Sequence, residues 1–243
     1  MAESPPLEVA ARFAALSRLL HGLPSRERTL RRVVDLAVTT VPGSEHAGFL
    51  SLRRGGGAVG SEAHTGGPVP ELARVQERLG EGPVPAPQSG EPVVRIADTA
   101  EERRWPRFAR HAEELGVRAL LACTLTGERG TLGTLCLCSA KPEAFDETAV
   151  RTAAVFGEHA AVALDRAGQV DSLETAVASR QLIGEATGML MERYGVASPQ
   201  AFGMLVRCSQ HLNVKLREVA SRIVEGQLAD DRIRHALARA RRD

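Results

Sequence analysis

The segment VRALLACTLTGERGTLGTLCLCS, residues 117–139, decides the fold of the N-terminal part of the chain. Two runs rich in apolar and β-branched residues, 117–125 and 131–139, flank the turn-forming sequence GERG at 127–130. Strand-like runs separated by a short glycine-containing turn are typical of a β-hairpin, in which the two strands pair antiparallel. We therefore expect a sheet that is built from hairpins.

Outward from this hairpin, the residue pattern predicts strands and helices that alternate along residues 1–168. Ser25 is a typical helix cap, and Pro42-Gly43 ends the helix that it opens. Further strands are expected at 46–53, 58–65 and 92–96, and further helices at 7–20, 71–79, 106–115 and from Asp146 onward. Hairpins interleaved with helices predict an α+β domain, an antiparallel sheet with flanking helices.

Residues 169–243 have a different pattern, because no run in them is typical of a strand. Helical periodicity predicts three segments: one ending at Gly195, one capped by Ser198 with Phe202 on its core-facing stripe, and one capped by Asn213. The third has a clear apolar stripe, formed by Leu216, Val219, Ala220, Ile223 and Val224. We expect an all-α three-helix bundle here.

The joint between these two regions is predicted to be a long helical linker. Small and apolar residues recur in it at alternating spacings of four and three, at Phe156, Ala160, Ala163, Ala167, Val170, Glu174 and Val177. This heptad-like seam fits a coiled coil in a homodimer, and it equally fits a helix that packs on its own sheet.

Composition narrows the classes of function. The chain of 243 residues has a formal net charge of +1, which excludes a generally basic nucleic-acid coat. Only 3% of its residues are aromatic, which excludes a surface rich in stacking platforms. The charge is uneven, however: residues 171–243 hold eleven basic and nine acidic side chains, a net of +2, which leaves −1 for residues 1–170. The arginine-rich tail at 232–242 is interpreted either as a solvated helix end or as an arm that attracts phosphate.

Neither catalysis nor membrane insertion is predicted. The histidines lack the spacing of a metal site, and no nucleophile elbow, phosphate-binding loop or dinucleotide fingerprint is present, so we predict no enzyme and no metal site. Without an apparent signal sequence or apolar span, a reduced cytoplasmic location is expected. Cys123, Cys136 and Cys138 fall on the two strands of the central hairpin, where they form either a redox or metal cluster or buried packing.

The last third of the chain resembles the ANTAR domain, the RNA-binding output module of bacterial antitermination regulators. The residues that carry the resemblance are Ser179-Arg180, Ile183-Gly184, Ala186, the run 188–193, Ala201-Phe202, Leu205, Ser209, Asn213, Lys215-Leu216-Arg217 and Val219-Ala220. One difference is that Glu185 and Thr187 stand where many members carry Gln and Lys, which predicts weaker attraction of phosphate.

Residues 8–168 resemble a GAF sensor domain, through the run 76–83, Trp105-Pro106 and the strand 130–139 ahead of Ala144-Phe145. The pairing is similar to the GAF–ANTAR regulators of actinobacteria. It implies a homodimer that binds hairpin loops of leader RNA and prevents transcription termination, with a small-molecule ligand as one candidate input. No cofactor is predicted, since His64 and His111 are lone histidines and weak evidence for haem.

Because aromatic residues are scarce, RNA contacts would depend on Arg, Lys, Asn and Gln. Eight polar side chains are therefore the candidate RNA-binding residues: Arg180, Gln181, Arg207, Ser209, Gln210, Asn213, Lys215 and Arg217. One alternative is a ligand or redox sensor that signals through protein partners without binding RNA. A DNA-binding regulator is disfavoured, because no helix-turn-helix pattern with a basic recognition helix is evident.

Overall fold

The computed structural model describes residues 18–20, 22–23, 25–52, 59–84 and 92–226. The chain separates into two compact units, with the division between Val170 and Asp171. We call them the sensor unit and the helical unit. The predicted helix at 7–20, apart from the helical residues 18–20, and the arginine-rich tail at 232–242 lie outside the described residues.

The sensor unit contains one five-stranded sheet. Its strands are β1 (His46–Leu52), β2 (Val59–His64), β3 (Val93–Ile96), β4 (Ala119–Gly127) and β5 (Gly130–Ser139). The spatial order is β2-β1-β5-β4-β3, and every neighbouring pair is antiparallel. The predicted central hairpin is confirmed, and its strands reach as far as the Gly127–Gly130 pair, so that the turn is tight.

The described helices are α1 (Arg26–Thr40), α2 (Val69–Leu79), α3 (Pro106–Glu114), α4 (Glu147–Tyr194), α5 (Ser198–Leu212) and α6 (Leu216–Val224). Ser25 caps α1 as predicted, and its hydroxyl accepts from the Arg28 amide at 3.3 Å. The segments expected on either side of residue 168 are one continuous helix of 48 residues. Gly168 does not break it, since a single glycine in a helix costs only about 1 kcal/mol relative to alanine.

Both faces of the sheet are covered, because side chains alternate along each strand. On β4, Leu121 and Cys123 join the core beneath α1 and α4, whereas Leu120 and Ala122 join the core beneath α2 and α3. The α+β class with flanking helices is therefore confirmed for the sensor unit.

A buried carboxylate holds the central hairpin against α4. Asp165 is only 7% exposed, and its Oδ2 atom accepts a hydrogen bond from the Glu128 amide at 3.1 Å. Gly127 makes this approach possible, since a Cβ atom there would lie 2.8 Å from the Asp165 Cγ atom. The turn of the hairpin is thus tied to the middle of the long helix.

The heptad-like seam is divided between two environments. Phe156, Ala160 and Ala163 are buried in the core of the sensor unit, so they pack on their own sheet and cannot meet another chain. Val170 and Val177, farther along the seam, are 42% and 65% exposed. A coiled coil through the first part of this seam is therefore wrong, because the sheet already occupies that face of α4.

In the helical unit, the C-terminal part of α4 packs with α5 and α6. Their shared core consists of Ala186, Leu190, Ala201, Met204, Leu205, Cys208, Val219, Ala220 and Ile223. Ser198 is the first residue of α5 rather than its cap, and Ala197 precedes it. The Gln200 side chain accepts from the Ala197 amide at 3.2 Å, as the N3 residue does in a capping box.

Candidate nucleic-acid interface

The turn between α5 and α6 places three of the candidate residues together. Asn213 ends α5 in the left-handed conformation, with φ 51° and ψ 41°, so the prediction that it caps α6 is wrong. Asparagine tolerates this conformation better than most residues, which explains its place at a helix end. Lys215 instead precedes α6, with no side-chain hydrogen bond that caps the helix.

Ser209 stabilises the same turn. Its hydroxyl donates to the Val214 carbonyl at 2.6 Å, and its own carbonyl accepts from the Val214 amide at 3.2 Å. This candidate residue is half-buried, and its hydroxyl hydrogen is engaged within the protein. Ser209 therefore stabilises the turn that carries Asn213 and Lys215.

Asn213, Lys215 and Arg217 line one open groove, which we call the polar groove. Its volume is about 710 Å³. The opposite side is formed by α4 and carries the hydroxyl groups of Thr175 and Ser179. Ser179 is among the residues that carry the ANTAR resemblance, but neither it nor Thr175 was predicted as an RNA contact, because short hydroxyl side chains on a helix give no signal of their own.

The electrostatics of the polar groove favour an anion. The acidic residue in its lining is Glu218, and its carboxylate pairs with Arg222 at 2.5 Å. Within residues 171–226, where the structure describes every position, no ion pair involves Lys215 or Arg217. The positive charges of Lys215 and Arg217 therefore line the polar groove, and neither is paired with an acidic residue of the helical unit's described residues.

The other candidates are distributed around the unit. Arg180 is exposed and lies outside the polar groove. Gln181 donates to Glu185 at 3.0 Å, which occupies both side chains on the exposed face of α4. Arg207 and Gln210 are exposed on α5. They line neither the polar groove nor a second groove that lies between α4 and the start of α5.

A second groove, which we call the glycine groove, lies between α4 and the start of α5. Arg180, Ile183, Gly184, Gly188, Met191 and Phe202 are among its lining residues, and its volume is about 510 Å³. Phe202 is 44% exposed here, so its predicted place on the core stripe is wrong. The core-facing positions of α5 are taken instead by Ala201, Met204, Leu205 and Cys208.

Thr187 stands where many ANTAR domains carry Lys, so its environment shows what replaces that cation here. It is 8% exposed, and its hydroxyl donates to the Ile183 carbonyl at 2.7 Å. Glu185, by contrast, is exposed and accepts from Gln181. The acidic side chain at 185 thus meets solvent, whereas the threonine at 187 belongs to the packing of its own helix.

The sensor thiols do not form a cluster of three. Cys136 and Cys138 face the core beneath α2 and α3, whereas Cys123 faces the core on the other side of the sheet. Burial raises the pKa of Cys123 and of Cys138 to about 12, and burial raises the pKa of Cys136 as well. All three are therefore protonated thiols near neutral pH, and thiolate chemistry is disfavoured at these positions.

The sensor unit also contains a small cleft of about 220 Å³ between α4 and the residues at the start of α1, with Leu20, Gly22, Leu23 and Thr29 on that side. Ligand pockets usually measure roughly 300–1,000 Å³, so a drug-sized molecule exceeds this cleft. Among the residues that the structure describes, no group of three His, Cys, Asp or Glu side chains is placed to hold a metal ion. No helix within that same part of the chain is long and apolar enough to cross a membrane.

Comparisons with known proteins agree with these two units. The family model of the GAF domain matches residues 24–165, and that of the ANTAR domain matches residues 171–224. GAF domains are sensors and ANTAR domains are RNA-binding antitermination outputs, and neither class is catalytic. The two domains in this order define a sensor–effector regulator. The chain belongs to the GAF–ANTAR family of regulators.

Solved structures support the fold. A bacteriophytochrome of the photosynthetic bacterium R. palustris superposes with a TM-score of 0.58 at 10% identity, over 86% of this chain and 47% of that chain. This chain thus spans about half the length of the bacteriophytochrome. The GAF domain of a phosphoenolpyruvate-protein phosphotransferase from Coxiella burnetii gives 0.54 at 17% identity, over 70% of this chain and 99% of that domain.

A domain of a sensor histidine kinase protein from Sinorhizobium meliloti 1021 gives a TM-score of 0.51 at 14% identity, over 61% of this chain and 96% of that domain. At these identities the likeness concerns the fold alone. A comparison with the curated proteins found no match.

Proposed function

We propose that the helical unit of this chain binds hairpin loops of a leader RNA and so prevents transcription termination, under the control of the GAF domain. One observation carries the proposal: Asn213, Lys215 and Arg217 come together around the polar groove. Cations with an amide and hydroxyl groups are the side chains that contact RNA phosphates and 2′-hydroxyls. The likeness of residues 171–224 to the ANTAR domain supports the same output.

Each side chain has a distinct task in this proposal. Lys215 acts as a point charge for phosphate, and Arg217 can contact two phosphate oxygens at once through its planar guanidinium. Asn213 can donate and accept, and therefore suits a base edge or a 2′-hydroxyl. Arg180, Gln181, Arg207 and Gln210 are outer contacts that approach the RNA beyond the groove, and Ser209 supports the turn.

The active form is proposed to be a cytoplasmic homodimer with a domain boundary near residue 168. Four exposed apolar residues of α4 support dimerisation: Val155, Val162, Leu173 and Val177. Val155 and Val162 are seven residues apart and share a face of the helix in the sensor unit, and Leu173 and Val177 are four apart and share a face in the helical unit. Exposed apolar side chains on one helix are typical of a helix–helix contact between chains.

The test is a titration of the full chain with a library of two-hairpin RNAs and with duplex DNA at several salt concentrations. We expect RNA to be retained, with an affinity that falls steeply as salt rises. Replacing Lys215 or Arg217 with Gln should reduce the slope of log affinity against log salt, by about 0.7 for each single-strand phosphate that the variant no longer neutralises.

Arg151→Gln is the matched control, since Arg151 is an exposed arginine of the sensor unit that pairs with Glu147. It should leave the slope unchanged. If the folded protein retains no RNA even at low salt, the proposal fails, and a sensor that signals through protein partners becomes the better interpretation. An unchanged slope in both groove variants would remove Lys215 and Arg217 from the site.

A further inference from the structure

The glycine groove has a floor without side chains. Gly184 and Gly188 are four residues apart on α4 and therefore lie on the same face of the helix. A Cβ atom built at either position would meet nothing within 4 Å outside the adjacent helix backbone. Neither glycine is needed for close packing against another element. The pair leaves an open surface where the helix would otherwise carry side chains.

The walls of this groove are mostly apolar, with Thr187 and Ser198 as the uncharged polar residues of the lining, and two of the apolar residues are unusually exposed. Phe202 is 44% exposed and Met191 is 37% exposed. The chain has only 3% aromatic residues, and the phenylalanines at 49, 108, 145 and 156 are fully buried. An exposed phenylalanine beside a glycine floor leaves a flat aromatic surface available to a ligand.

Charge at the groove favours an anionic group. Arg180 is the charged residue among those that line it. Its side chain is exposed, and within residues 171–226 it forms no ion pair. An apolar slot with one cation at its edge complements a nucleotide, in which a flat base is joined to a phosphate.

We propose that the glycine groove binds one unstacked base of the RNA loop, which lies over the Gly184–Gly188 floor and stacks on Phe202. Arg180 contacts the phosphate beside that base. The proposal deepens and rests on the proposed function, since it assigns base recognition to this groove and phosphate attraction to the polar groove. Stacking on an aromatic side chain contributes roughly 1–3 kcal/mol per base, which corresponds to about a 5- to 150-fold change in affinity.

The experiment uses the full chain and the two-hairpin RNA that binds best, together with copies that have an abasic site at each loop position in turn. In the wild type, one abasic position should weaken binding at least about fivefold. Phe202→Leu keeps the apolar cover but removes the ring. It should weaken binding to the intact RNA by a similar factor and abolish the difference between intact and abasic RNA.

Gly188→Leu fills the groove and does not destabilise α4, because leucine has a higher helix propensity than glycine by several tenths of a kcal/mol. It should leave the melting temperature unchanged or higher, and weaken RNA binding at least about fivefold with the salt slope unchanged. Gly203→Ala is the control: it also replaces a helical glycine with a better helix former, it lies in α5 outside the glycine groove, and its added Cβ atom would be 4.0 Å from the nearest atom, in the Arg207 guanidinium, so the variant should bind as the wild type does.

The outcomes separate the two proposals. If the wild type binds no RNA, the proposed function itself fails. If the wild type binds RNA and Lys215→Gln weakens it, but Phe202→Leu and Gly188→Leu bind normally, only the base-binding groove is overturned. It is also overturned if Gly188→Leu turns a dimer into a monomer in sedimentation, because the groove would then be a contact between two copies of the chain.

Discussion

At the scale of single residues, the sensor thiols matter through their protonation. Cys123 and Cys138 lie on opposite faces of the sheet, and each has a pKa raised by burial to about 12. A buried thiol acts as a small apolar group that fills space between larger side chains. The candidate redox function therefore receives no support from these positions, and they serve as packing.

The raised thiol pKa values predict that the sensor unit loses stability in alkaline solution. The pKa of a thiol in the unfolded chain is 9.0. When the pKa of a group is higher in the folded state, its contribution to stability is complete at pH values below the unfolded pKa and is lost as the pH rises above it. Above pH 9.0 the unfolded chain releases the proton while the folded chain keeps it. The free energy of unfolding should then fall by about 1.4 kcal/mol per pH unit for each such thiol.

Urea unfolding followed by the fluorescence of Trp105, the single tryptophan, measures this effect in the sensor unit. Between about pH 9.5 and about pH 10.5, the wild type should lose more stability than Cys123→Ala by roughly 1.4 kcal/mol. Cys208→Ala, in the helical unit, is the control and should match the wild type in this signal. Equal pH dependence of the wild type and Cys123→Ala would contradict the assignment.

Variants of Asn213 can distinguish its role as the C-terminal cap of α5 from a direct contact with RNA. It occupies the left-handed region, which glycine adopts without strain and alanine does not. Asn213→Gly should keep the melting temperature of the helical unit, whereas Asn213→Ala should destabilise it by about 1 kcal/mol. Since neither variant has the amide, both should lose RNA affinity if Asn213 touches RNA.

Circular dichroism measures the first effect and RNA titration the second. Wild-type affinity in Asn213→Gly would show that capping is the whole role of the asparagine. Ser209→Ala is a useful companion, because it removes the hydroxyl that donates to Val214 without changing the backbone conformation preferred at 213.

At the scale of elements, the tie between the central hairpin and α4 depends on a glycine. An added Cβ atom at Gly127 would lie 2.8 Å from the Asp165 Cγ atom, so Gly127→Ala requires the buried Asp165 side chain, the hairpin turn or the helix to shift. We expect it to lower the free energy of unfolding of the sensor unit by about 1–3 kcal/mol, as is usual for overpacking. Urea unfolding with Trp105 as the probe measures this change.

Thr131→Ala is the control for that variant, because Thr131 is an exposed residue of the same hairpin. It should change stability by less than about 0.5 kcal/mol. If Gly127→Ala is as stable as Thr131→Ala, the contact between Asp165 and the hairpin turn is not maintained in solution.

At the scale of the whole molecule, dimerisation is the property to test. Val162 in the sensor unit and Leu173 in the helical unit are 61% and 67% exposed on α4. Replacing both with Glu introduces like charges into the proposed contact between two copies, and should give a monomer in analytical ultracentrifugation. The helical content should be unchanged, since both side chains are exposed in the single chain.

Glu174→Lys tests whether the heptad-like seam or the exposed apolar residues of α4 form the contact; Val177 belongs to both sets, but Glu174 belongs only to the seam and Leu173 only to the exposed set. Glu174 lies about a third of a turn away from Leu173. The Glu174→Lys variant should leave the dimer intact if the exposed apolar residues form the contact. A wild type that sediments as a monomer would rule out the dimer altogether.

Much of the fold follows from local pattern. The central hairpin, the Ser25 cap and the apolar stripe of α6 all depend on residues that are close in sequence, and each was predictable from periodicity and turn chemistry. The ANTAR-like sequence likewise identified the kind of output, because that signature is a contiguous run. Asn213, Lys215 and Arg217, which line the polar groove, were predicted as RNA contacts because they are polar residues within that ANTAR-like sequence.

Other features depend on which faces meet. Periodicity placed Phe202 on a core stripe, yet neighbouring helical positions offer overlapping stripes, and packing against Ala186 and Leu190 selected the one without it. Small residues on one face of α4 fitted a coiled coil, but the sheet covers that face first. The sequence by itself determined the elements and the family, while only the tertiary structure decided which surfaces stay exposed, because exposure depends on partners far apart in the chain.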